Sequence, residues 1–234
     1  MIADYSFRKT LSKTADEACE RVSRVRDLTI GKRRALPGTE LPPDMMLNLP
    51  KEEIKETTLW KMVRKMPKGA LLHAHLYAMV DIEWLINETL SQPGMCCLSP
   101  VQLSSARNRK DNAIIFKPSK TTPRSSPSIW RDTYRAFTLV DANVAADTFP
   151  NGGRQGFIAW IKKRCVVPVE ASLDHHKGIN FVWQKFQSLS PILASMTYYE
   201  PTFRATLQKI FRELVDDGIR WVGECVSHII STFE

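Results

Sequence analysis

The stretch MPKGALLHAHLYAMVD, residues 66–81, holds two histidines separated by one residue inside an apolar run. Alternate side chains of a strand point to the same side, so extended backbone would present His73 and His75 to one space, close enough to share a cation. Zinc is a frequent guest of such imidazole pairs. A catalytic zinc takes three protein ligands plus water and makes hydroxide available near neutral pH. The spacing leaves a second reading open, in which both rings are simply packed and hydrogen-bonded. The same period puts Tyr77 on the histidine side and turns Leu72, Ala74 and Leu76 towards surrounding helices.

The elements that must position these rings are legible around them. Residues 1–30 read as an amphipathic helix, broken by GKRRALPGTELPPD. A second helix is expected after Pro50, with Glu52 and Glu53 at its positive end and Leu59, Met62, Val63 and Met66 at helical spacing, stopped by Pro67 and Gly69. ALLHAHL then reads as a short buried strand of a parallel sheet, and Ile82, Leu85, Ile86 and Leu90 as the stripe of a helix, which makes one β/α unit. Residues 91–128, with six prolines and glycines scattered through them (Pro93, Gly94, Pro100, Pro118, Pro123, Pro127), read as an insertion loop.

Helical character returns at 130–148, in GRQGFIAWIKKRC and in FVWQKFQSLSPIL. The helix at 201–217 is the best marked. Pro201 opens it, Phe203, Leu207, Ile210, Phe211, Leu214 and Val215 line one side, and Gly218 suits a left-handed cap. IRWVGECVS follows as a second strand.

With 234 residues, 43% of them hydrophobic, the chain can bury a sizeable core. The net charge of +8 is spread over mixed-sign faces such as KEEIKETTLWKMVRK; only 107–124 gathers unbalanced basic residues, and its Ser and Pro content reads as a loop. No nucleic-acid partner is expected. The apolar runs are too short for a membrane span and the start lacks an apolar signal core, so no membrane partner is expected and the reading from residues alone is cytoplasmic. The five cysteines, Cys19, Cys96, Cys97, Cys165 and Cys225, lack CxxC spacing and read as reduced thiols.

MPKGALLHAHL followed by DIEWLINETL resembles the first barrel strand and helix of the adenosine deaminase-related growth factors, the extracellular-type adenosine deaminases of the metallo-dependent hydrolase superfamily. FVWQKFQSLSPILASMTYYEPTFRATLQKIFRELVDDGIRWV resembles that family's Trp-x-Lys-Phe segment, long helix and second strand, and the wording is closest to the fungal branch. The resemblance implies a (β/α)8 barrel with zinc as cofactor and hydrolytic conversion of adenosine to inosine. His73 and His75 would be two zinc ligands. Trp183, Lys185 and Phe186 would lie against the substrate, a small-molecule purine nucleoside. It also implies a homodimer through the N-terminal helices, and secretion.

The sequence departs from that pattern in two ways. The family's aspartate just after the second histidine is replaced by Leu76 and Tyr77. The third zinc histidine with its glutamate, the histidine that assists the attacking water and the last zinc aspartate belong to later strands, and no His-Ala-Gly-Glu stretch occurs. His175 and His176 read as a surface loop, and His228 lies where the resemblance ends. No catalytic residue is therefore assigned. The fold expectation is α/β: a partial (β/α)8 barrel contributing its first two strands, mostly helical as it stands, with an N-terminal helical arm and linker over 1–50 and the first portion of the barrel over 51–234. A C-terminally truncated deaminase, incomplete as a catalyst, is expected; the alternative is a non-catalytic homologue acting as an interaction or dimerisation partner.

Overall fold

The computed structural model describes residue 6 and residues 9–34, 54–121, 128–167 and 178–223. The chain divides into two units, Met1–Lys68 and Gly69–Glu234. Histidines 175, 176 and 228, Cys225, and Glu52 and Glu53 lie outside the described residues.

In the first unit, helix α1 (Lys13–Arg34) packs with helix α2 (Thr58–Lys65). Ile54 and Lys55 are helical, and after a turn at Glu56 and Thr57 the helix carrying Leu59, Met62 and Val63 starts at Thr58, with Thr57 as its cap. The Thr57 hydroxyl donates to the Ile54 carbonyl at 2.7 Å and accepts from the Trp60 N–H at 3.1 Å. At the other end Lys68 Nζ donates to the Val63, Arg64 and Met66 carbonyls at 3.0–3.2 Å, satisfying acceptors that the helix leaves open.

In the second unit, the two segments expected as strands do meet. Leu71 and Val222 form an isolated parallel bridge, with the Leu71 N–H donating to Trp221 O at 2.8 Å and the Gly223 N–H to Leu71 O at 2.6 Å. Residue 223 must be glycine for this approach: a Cβ there would sit 2.7 Å from the Leu72 carbonyl oxygen. Beyond the bridge, residues 72–75 join no ladder, and the chain turns at the 3-10 helix Leu76–Ala78. The expected strand is thus one bridge long, because Leu71 is its single paired residue among those described. Leu72 departs from expectation too. It is 81% exposed instead of facing helices, whereas Leu76 is buried.

Helix α3 (Ile82–Ser91) follows, capped by Asp81, whose carboxylate accepts from the Trp84 N–H at 2.9 Å. Its Leu85, Ile86 and Leu90 are buried, as their spacing requires. The described part of the region expected to be an insertion loop carries short regular elements. Strands β1 (Met95–Leu98) and β2 (Ile115–Pro118) flank the short helix α4 (Ala106–Asp111), and β3 (Val140–Asp141) completes an antiparallel sheet of order β2-β1-β3. Pro118 is compatible with this because it ends an edge strand.

The helix expected over 130–148 is also corrected: only α5 (Ala142–Asp147) is helical there. The preceding residues are held in turns by side-chain bonds. Trp130 Nε1 donates to the Ala145 carbonyl at 2.8 Å, and the Tyr134 hydroxyl accepts from the Ser99 N–H at 3.0 Å, with the Thr138 carbonyl 2.9 Å away. Trp130, Phe149 and Phe157 meet one another edge-to-face with centroids 5.0–6.1 Å apart, and Trp160 packs on all three, edge-on to Trp130, stacked on Phe149 and tilted to Phe157. Phe157 and Trp160 belong to helix α6 (Gly153–Arg164).

Helix α7 (Gly178–Thr197) packs on α3 and on β2, where the Phe116 N–H donates to Ser195 Oγ at 3.1 Å. Helix α8 (Glu200–Asp216) has proline in its first turn and ends as predicted: Gly218 has φ 77°, its N–H donates to Val215 O and the Ile219 N–H to Leu214 O. The second unit is therefore mostly helical with a small antiparallel sheet. The described residues form no closed barrel; the single parallel bridge is all they show of the expected pair of strands. Among them no helix is long and apolar enough to cross a membrane.

Candidate functional site

Between the bridge residue Leu71 and the turn at Leu76, the two imidazoles come together with centroids 5.4 Å apart and planes at 90°. His75 itself is extended (φ −93°, ψ 117°), and its carbonyl accepts from the Ala78 N–H at 2.8 Å, where the 3-10 turn begins. Leu76 and Val80 anchor that turn in the core, while both histidine residues remain exposed. The period-two expectation for Tyr77 holds. Its ring stacks on His75 at 6.0 Å and 27°.

Helix α7 packs against this turn and brings in a second ring. Phe186 meets His75 edge-on at 6.5 Å, and Trp183, one helical turn earlier, stacks on Phe186 at 5.5 Å and 24°. One face of the indole is thus covered by Phe186, and Trp183 stays 56% exposed. His73, His75, Phe186 and Trp183 form one continuous chain of rings.

Lys185 is not part of it. Its ammonium lies 5.7 Å from the Phe181 ring, an i, i+4 pair on another strip of α7. Asp81 caps α3. Tyr198, just past the C-terminal end of α7, was not foreseen from the sequence; its hydroxyl titration is pushed up by burial and by the nearby Tyr77 phenol. Its only local signal is a pair of tyrosines just after a helical stripe.

The donor set can be tested against a zinc ion. Two imidazoles with adjacent rings are suitable first ligands, supplying two of the three that a catalytic zinc ordinarily takes. Among the described residues no three His, Cys, Asp or Glu side chains come together in a metal-holding group. Of the described thiols, Cys96, Cys97 and Cys165 offer no substitute, since they are buried. Burial pushes the Cys165 thiol up to about 12, against the opposing pull of Arg164, and raises Cys97 as well.

No family model matches the chain. Individual proteins do. An adenosine deaminase of Phlebotomus duboscqi is 21% identical over 171 residues, covering 73% of this chain and 29% of that protein. Adenosine deaminase 2-A of Danio rerio is 24% identical over 192 residues, 82% of this chain and 34% of its own length. The chain is similar, over most of its length, to proteins named adenosine deaminase. Adenosine deaminase 2 of Homo sapiens extends the relationship, with 23% identity over 198 residues, 82% of this chain and 34% of the relative. The chain therefore spans about a third of the length of these curated adenosine deaminases.

Proposed function

We propose that this chain carries the zinc- and nucleoside-facing half of a purine nucleoside deaminase, and that the described residues alone do not complete the catalyst. The observation behind the reading is the ring chain itself: a His-x-His pair with rings 5.4 Å apart, joined through Phe186 to an exposed, one-side-covered tryptophan, in a chain whose relatives are named adenosine deaminase. In fold terms, the Leu71–Val222 bridge would be the junction of the first two strands of a (β/α)8 barrel.

His73 and His75 would hold zinc, and bound zinc would supply an activated water at neutral pH. The chain's own residues bind and orient. The free face of Trp183 offers a flat apolar surface to a purine, and its indole N–H a donor. Hydrolytic deamination also needs a positioned acid to protonate the ring and assist ammonia departure. Neither Leu76 nor Tyr77 supplies a carboxylate beside the imidazoles, and Asp81 is committed to its helix.

The test is to purify the chain, add zinc, count bound metal and follow the ultraviolet change from adenosine to inosine. Zinc uptake abolished by His73→Ala and His75→Ala, without turnover, is the expected result. Stoichiometric zinc with turnover overturns the incomplete-catalyst reading, and zinc uptake indifferent to both substitutions overturns the site.

A second reading, a non-catalytic association partner, is favoured by a different observation. Beside the bridge, Leu72 is 81% and Trp221 75% exposed, next to an open groove of about 590 Å3 lined by Phe211, Leu214, Val215, Ile219 and Val222. Clustered apolar exposure of this kind marks interaction surfaces. Self-association that Trp221→Ser abolishes supports it; a monomer at every concentration in sedimentation equilibrium rejects it.

A further inference from the structure

We propose that Tyr77 is a positioning residue for the His75 imidazole: with Phe186 it brackets that ring from two sides and fixes the direction in which its nitrogens face. The inference rests on the zinc-site reading above and assigns one of its ligands a support.

The geometry is local and specific. Tyr77 lies nearly parallel to His75, at 6.0 Å and 27°, and Phe186 meets the same imidazole at 6.5 Å and 67°. The two brackets come from different elements, the 3-10 turn and α7, so one does not move simply because the other does. Tyr77 is itself held. It is half-buried against the core, its neighbour Leu76 is buried, and its phenol lies close enough to Tyr198 to push that hydroxyl's titration upward.

An exposed histidine is ordinarily free to turn about both side-chain torsions, and a cation that binds it must first order the ring. Neighbouring rings that prefer defined offsets remove part of that freedom beforehand. His73 meets the same imidazole edge-on at 5.4 Å.

The experiment compares the full chain with Tyr77→Phe and Tyr77→Leu by NMR of the histidine ring protons in the metal-free protein, and by zinc competition with a chromogenic chelator. His75 resonances, assigned by their loss in His75→Gln, carry a ring-current displacement in the native chain. Tyr77→Phe keeps it; Tyr77→Leu, which retains bulk without a ring, removes most of it and leaves other histidines in place. Zinc affinity follows, within about twofold for Phe and weakened about three- to tenfold for Leu, the scale of ordering one side chain.

A His75 displacement that survives Tyr77→Leu, or that Tyr77→Phe destroys equally, overturns the proposal. Zinc affinity unchanged in Tyr77→Leu while the resonance moves also overturns it as a support for metal binding. If the native chain takes up no zinc but the resonances behave as stated, the zinc reading fails and the ring-positioning stands.

Discussion

Leu71 and Val222 form a parallel bridge through the residues flanking Val222, with the Leu71 N–H donating to Trp221 O at 2.8 Å and the Gly223 N–H to Leu71 O at 2.6 Å, although one precedes and the other follows nearly every element of the second unit. That bridge depends on the side chain that residue 223 lacks. Gly223→Val would drive a branched Cβ to within 2.7 Å of the Leu72 carbonyl oxygen and force the segments apart. The expected loss is roughly 1–3 kcal/mol, the scale of overpacking a close contact. Urea unfolding should show it as a lower midpoint, whereas Gly69→Ala, where nothing lies within 4 Å of the added Cβ, should fall within about 0.5 kcal/mol of the native chain.

Trp183 separates binding from stability. Its indole is 56% exposed and stacks on Phe186, so Trp183→Ala should leave the melting temperature nearly unchanged. If the free face receives a purine, adenosine affinity should fall by roughly 1–3 kcal/mol, the usual contribution of a base stacked on an aromatic ring. Equilibrium dialysis with adenosine decides: equal binding by both proteins removes Trp183 from the site.

The parts of this arrangement that the sequence displayed are those governed by a local period. Two-residue alternation put His73, His75 and Tyr77 on one side, and the rings are found there. Pro201, the apolar stripe and Gly218 delimited α8 to within a residue because each end has its own chemistry. The antiparallel sheet was not visible. Four-residue strands such as MCCL and IFKP carry too few positions to show a period, and the prolines around them outweighed their apolar content.

Residues 130–148 misled for the opposite reason. Trp130 and Tyr134 stand at helical spacing, yet they bond to Ala145 and to Ser99 and Thr138, acceptors that no local pattern reveals. Leu72 failed because its expected neighbours depend on strands and helices that the described residues do not supply.

The Tyr134 hydroxyl is one such long-range tie, and its removal should be felt. In Tyr134→Phe the buried Ser99 N–H loses its acceptor, 3.0 Å away, while the ring keeps its packing. A buried donor left unmade costs roughly 1–3 kcal/mol. Chemical denaturation should register that loss without a change in the slope against urea, since the folded state buries the same surface. A variant as stable as the native chain would show that solvent reaches Ser99.

Cys165 makes stability pH-dependent on the alkaline side. Burial raises its folded-state titration from 9.0 to about 12. An unfolded chain releases the thiol proton once pH passes about 9, while the folded chain keeps it, so alkali favours unfolding. The stability is full below pH 9 and declines as pH rises towards 12, at no more than about 1.4 kcal/mol per pH unit for each such thiol. Urea midpoints at pH 8, 9 and 10 should fall progressively, and Cys165→Ala, though less stable throughout, should fall less steeply. Thiol labelling provides the independent check at pH 8: in a Cys225→Ser background the exposed Cys19 should react in the folded protein, and Cys165 only after urea is added. Equal labelling rates at both positions would mean that the Cys165 site is open to solvent and that its titration is not displaced.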